Sequence, residues 1–121
     1  MSMTIQQRET NGVTILDVSG RITIGEGSVA LREKVREQIA LGKQQIIINL
    51  ADVSYIDSSG LGELISAFTT AKNRGVTLKL LNLTKRIREL MQITKLSTVF
   101  DVYDEEDAAV ESFPIANERP R

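Results

Sequence analysis

A length of 121 residues suits one domain with one core, and 15 basic against 16 acidic side chains leave a net charge of −1, with no global field for nucleic acid or an anionic membrane. Cysteine and histidine are both absent, which excludes disulfides, thiolate metal sites, cysteine nucleophiles and a Ser-His-Asp hydrolase built from this chain alone. No stretch approaches the ~20 apolar residues of a membrane-spanning helix and none near Met1 has signal-peptide length, so the expected location is the cytoplasm, without membrane insertion.

Thr4 to Thr10 is polar apart from Ile5 and reads as an edge strand, after which Asn11-Gly12 supplies a hairpin turn. Val13 to Ser19 returns with Val13, Ile15, Leu16 and Val18 spread over both faces, as expected of a more central strand. Gly20 to Gly27 is expected to be a loop with a short extended piece at Arg21-Ile22-Thr23-Ile24. Ser28 to Leu41 reads as a helix, with Leu31, Val35 and Ile39 at fourfold spacing and Gly42 as its stop. Ile46-Ile47-Ile48-Asn49-Leu50 is an apolar run of buried-strand length. Beyond it Leu61, Leu64, Ile65, Phe68 and Ala71 recur at helical spacing, giving a helix from Ser59 to Arg74 that Gly75 ends. Val76 to Leu83 returns to strand character, and Thr84 is placed to cap a short helix with Ile87, Leu90 and Met91 on one face. Val99 to Tyr103 reads as the last strand. Asp104 to Asp107 then put acids at the favourable start of a final helix carrying Ala108, Ala109, Val110 and Phe113.

Strands alternating with helices imply parallel crossovers, while the Asn11-Gly12 hairpin adds an antiparallel pair. The expected fold is therefore α/β: a mixed sheet, mostly parallel with an N-terminal antiparallel hairpin, packed with about four helices. One domain is expected over residues 1-113, with residues 114-121 a flexible C-terminal tail.

The period changes from strand to helix across Asp57-Ser58-Ser59-Gly60. A serine there can cap the first helical turn, Ser59 being the expected cap, and free N–H groups of Gly60, Leu61 and Gly62 would form a positive region that stabilises an anion. Gly60 and Gly62 do not make a nucleotide-binding loop, because neither the P-loop with its lysine nor the dinucleotide glycine pattern surrounds them. Small residues at this turn would instead let a partner approach the backbone closely.

Asp57-Ser58-Ser59-Gly60-Leu61-Gly62, preceded by an isoleucine-rich strand, resembles the signature of STAS domains, specifically the stand-alone anti-sigma factor antagonists, and the match in element order runs from about Thr4 to Phe113. The resemblance implies a STAS-type sheet, a regulator rather than an enzyme, no cofactor, and Ser58 as the phosphorylated residue. Asp57, Ser59, Gly60, Leu61 and Gly62 would support the loop and contact the partner. It further implies partner switching: unphosphorylated protein binds an anti-sigma factor serine kinase and frees a sigma factor, and a partner phosphatase resets the phosphorylated form. The kinase would bring ATP and magnesium. Many antagonists carry Gly-x-Leu/Ile-Asp after the second strand, whereas this chain has Gly20-Arg21-Ile22-Thr23, with Glu26 the neighbouring candidate for the missing charge. Small STAS proteins also serve as accessory subunits of bacterial lipid-transport ATPases and as scaffolds of stress-sensing assemblies, which are the alternative roles.

Lys85, Arg86, Arg88 and Lys95 form a basic cluster around the third helix, either a solvated face or a contribution to partner docking beside the serine loop. Asp104 to Asp107 are expected to serve the helix start rather than a metal, since consecutive carboxylates on a helix cannot converge on one ion.

Overall fold

Asn11 and Gly12 both take positive φ, 52° and 81°, closing the two-residue hairpin between β1 (Met3–Thr10) and β2 (Val13–Ile22) with Thr10 opposite Val13. The computed structural model describes residues 3–113, so the expected tail at 114-121 lies outside the described residues. After the hairpin the order is α1 (Glu26–Ala40), β3 (Gln45–Ile56), α2 (Ser58–Asn73), β4 (Thr77–Leu81), α3 (Lys85–Ile93), β5 (Val102–Tyr103) and α4 (Glu106–Glu111). The five strands lie side by side in chain order, β1-β2 antiparallel and the other three pairs parallel. This is the expected mixed sheet with four helices.

Alternation along the strands divides the interior into two cores. Leu16, Val18 and Ile22 of β2 and Ile46, Ile48 and Leu50 of β3 pack with Leu31 and Val35 of α1, Leu61 and Leu64 of α2, and Ile87 and Met91 of α3. Val13, Ile15, Ile47 and Leu81 form a smaller core with Ala109, Val110 and Phe113 around α4. Ile46-Ile47-Ile48 is continuously apolar because both of its faces are covered. Arg8 joins the second layer to the hairpin, its Nε 2.6 Å from Asp17 Oδ2 and its Nη2 2.6 Å from Glu106 Oε1. Asp104 likewise turns to Arg88 at 2.9 Å, so these two acids of the Asp104–Asp107 run answer arginines.

Two strands run further than their apolar residues suggested. Instead of a loop beginning at Gly20, β2 continues to Ile22, pairing Gly20 with Val53, Arg21 with Tyr55 and Ile22 with Ile56 through irregularities at Asp17/Ser19 and Gly20/Arg21. Backbone hydrogen bonds sustain this extension where exposed Ala51, Asp52 and Ser54 give no hydrophobic signal. At the other edge β5 holds only Val102 and Tyr103, not the run from Val99. The helix α1 begins at Glu26 rather than Ser28. Thr84 caps α3 as its position implied, its Oγ1 accepting the Ile87 N–H at 3.2 Å.

Candidate functional site

The end of β3 delivers Asp57 in an extended conformation (φ −104°, ψ −176°), so its side chain folds forward over the first turn of α2. Oδ1 accepts the Gly60 N–H at 2.8 Å, while Oδ2 accepts the Ile24 N–H of the β2–α1 turn at 3.1 Å. The Asp57 N–H in turn donates to the Ile22 carbonyl at 3.3 Å. One residue therefore caps α2 and ties two connecting turns together.

This corrects the expectation that Ser59 caps the helix. Ser58 and Ser59 are the first two residues of α2 and have helical backbones, whereas a cap must stand outside the helix. The expected free amides are also corrected: Gly60 N–H is taken by the Asp57 carboxylate and Leu61 N–H by the Asp57 carbonyl at 2.9 Å. The anion at this helix N-terminus is the chain's own aspartate.

Backbone donors, that of Gly60 foremost, hold the Asp57 carboxyl below the usual carboxylate range, against the opposing pull of desolvation. A carboxylate with a lowered folded pKa contributes its stabilisation in full above its unfolded pKa and loses it as pH falls through the folded value. The cap should thus be complete at neutral pH and fade below about pH 4. In Asp57→Ala the Gly60 and Ile24 amides should exchange with solvent faster than in the wild type at neutral pH. Unchanged exchange at both would show that the carboxylate holds nothing.

Around this cap the hexapeptide divides by exposure. Ser58 is exposed and Ser59 half-buried, whereas Gly60 and Leu61 are buried. Gly62 is exposed one helical turn after Ser58, on the same face, with no atom within 4 Å of where a Cβ would stand. A Cβ on Gly60 would meet the Ile22 carbonyl oxygen at 2.2 Å, so this glycine serves the close approach of α2 to the end of β2. Gly60 and Leu61 support the turn from inside, leaving Ser58 and Gly62 as its outward members.

Sequence reasoning missed Ile24. Its side chain is 77% exposed, yet its backbone is fixed to Asp57 beside the serine turn. A lone isoleucine between Thr23 and Gly25 in a loop was the available signal. Thr23 itself accepts from both the N–H and the hydroxyl of Ser28 through its carbonyl, each at 3.0 Å, and Glu26 opens α1 as an exposed residue. The basic cluster does not stay together: Arg88 pairs with Asp104, Arg86 turns toward Tyr55, and Lys95 lies beyond the far end of α3. Among the described residues no group of acids, histidines or cysteines could hold a metal, and no helix is long and apolar enough to cross a membrane.

Residues 4–109 match the family model of the STAS domain. The chain is 32% identical over 113 residues to an anti-sigma-B factor antagonist of Bacillus subtilis, covering 92% of this chain and 100% of the relative. It is 33% identical over 104 residues to one from Listeria monocytogenes, covering 84% and 88%. A crystal structure of a putative anti-sigma factor antagonist from Thermotoga maritima superposes with a TM-score of 0.82 at 22% identity, covering 89% of this chain and 92% of that one. The phosphorylated form of the Bacillus cell fate determinant SpoIIAA superposes at 0.70 and 22% identity, over 90% and 98%. At these identities the two structures speak for the fold.

Proposed function

Because the chain belongs to the STAS domain family, we propose that it is an anti-sigma factor antagonist that works by partner switching. Its unmodified form binds a serine-kinase-type anti-sigma factor in the cytoplasm and releases a sigma factor. Phosphorylation of Ser58 ends that binding, and a phosphatase restores it. The observation that carries the reading is the exposed Ser58 hydroxyl, displayed at the first position of a rigidly capped helix in a chain that aligns with named antagonists over most of its length.

The physical basis is local. A phosphate adds roughly −1.5 to −2 charge next to the Asp57 carboxylate, in a turn whose Gly60 and Leu61 amides are already engaged. In this role the chain is a substrate and a binding surface, not a catalyst, since its sequence offers no histidine, cysteine or nucleotide loop. The kinase partner supplies the base, the ATP and the magnesium.

The test is to incubate the protein with the serine-kinase anti-sigma factors of its own cell and Mg-ATP, then map phosphopeptides and titrate binding. Phosphate is expected on Ser58 alone, because Ser58 is exposed and Ser59 is half-buried. Stoichiometric phosphate on Ser59 with none on Ser58, or no binding to any of these kinases, would overturn the reading.

A further inference from the structure

We propose that Arg21 and Arg86, gathered over the ring of Tyr55, form a docking site for a carboxylate-bearing segment of the protein partner. This inference rests on the anti-sigma reading of the Ser58 turn and adds a second point of attachment to it.

Two elements that are far apart in sequence build the site. Arg21 stands beside Tyr55 in the β2–β3 register, and its guanidinium carbon lies 4.6 Å from the ring centroid. Arg86, in the first turn of α3, reaches the same ring at 5.7 Å. Each guanidinium is attracted to the ring's π electrons, so both charges are held at this one side chain.

Neither arginine has an acidic partner among the described residues. Arg8, Arg32 and Arg88 each face a carboxylate within 4 Å, and both Arg21 and Arg86 are exposed without one. The placement of Arg86 is also not what helix stability favours: Lys85 and Arg86 occupy the first turn of α3, which carries no acid, at the end of the helix dipole that repels cations. Charge is thus spent here without an internal return.

An anion completes the arrangement. Guanidinium groups pair with carboxylates through two parallel N–H···O bonds, and the contact with Tyr55 already restrains both side chains, so less rotamer freedom is lost on binding. Position identifies the source. Tyr55 is separated from Ser58 by three peptide steps, at most about 11 Å between Cα atoms, so a protein seated over Ser58 extends across the arginines. A partner with acidic side chains facing this spot would be steered onto the serine turn by charge and held by paired hydrogen bonds.

The experiment titrates the anti-sigma factor that binds the wild-type chain, by calorimetry and stopped flow at low and high salt. Arg21→Ala/Arg86→Ala should bind about tenfold more weakly or worse and lose most of the salt dependence of association. Tyr55→Phe, which keeps the ring, should bind like the wild type. Arg74→Ala, an exposed arginine at the opposite end of α2, should change nothing. Circular dichroism confirms the fold of each variant. If the double variant keeps wild-type affinity and salt slope, the docking site is wrong while the anti-sigma reading stands. If it differs from the wild type only when Ser58 is phosphorylated, the arginines serve that phosphate and the docking assignment falls. If the wild type binds no such kinase, both fall together.

Discussion

Gly60→Ala should destabilise the protein by about 3 kcal/mol or more, at the upper end of what overpacking costs. A methyl group there would stand 2.2 Å from the Ile22 carbonyl oxygen and 2.8 Å from Ile22 Cγ2 and Ile56 Cγ1. Alanine favours a helix over glycine by up to about 1 kcal/mol, but that gain is smaller than the overlap. The carbonyl cannot retreat cheaply, because it belongs to a paired strand and accepts the Asp57 N–H. Gly62→Ala is the matched control: its Cβ would meet nothing, so the same propensity term should leave it equal to or slightly above the wild type. Urea unfolding of the two variants decides the matter. A Gly60→Ala midpoint equal to that of the wild type would mean that α2 does not press on β2 as described.

Phosphorylation of Ser58 should weaken anti-sigma binding about a hundredfold or more, equivalent to ~2.7 kcal/mol, with little change in the fold. The phosphate would sit beside the Asp57 carboxylate with the Gly60 and Leu61 amides already taken, and as a dianion it would carry a strongly held hydration shell. Next to it Ile24 is 77% exposed, and a partner that buries this isoleucine must strip water from the same neighbourhood. Apolar burial and a hydrated dianion compete for one surface, and the charge prevails. Ser58→Ala should bind like the unmodified protein, and Ser58→Asp should fall between the two because it carries less charge. Calorimetric titration of the four forms, with circular dichroism to confirm folding, tests this. Equal affinities for Ser58→Ala and the phosphorylated protein would contradict the mechanism.

Legibility in the chain followed the range of the interactions. The hairpin was readable at Asn11-Gly12 because left-handed φ is a property of those two residues. The helices α1, α2 and α3 showed in the spacing of Leu31, Val35 and Ile39, of Leu61, Leu64 and Ala71, and of Ile87 and Met91, all of which turned out buried. The polar strand ends were only partly readable. The sequence marks the strand to Ser19 and a short extended piece at Arg21-Ile22-Thr23-Ile24 but not their continuity, and Asp52 to Ile56 carry no signal of their own, because these segments are held by pairing with each other.

By itself, then, the sequence determined the element order, the mixed sheet and the place of the serine turn, because hydrophobic period and turn chemistry are encoded within a few residues of each other. The work of the turn's buried residues came from contacts with other parts of the chain. Asp57, which caps α2 locally through Gly60, also became the tie between two connections, because its other carboxylate oxygen takes the Ile24 N–H. Gly60 became a packing residue because the Ile22 carbonyl lies against it, and α4 took the opposite face of the sheet, where Arg8 meets Glu106 across 98 positions of chain. Such roles depend on which distant groups meet and which donors are already used, and no local pattern carries that information.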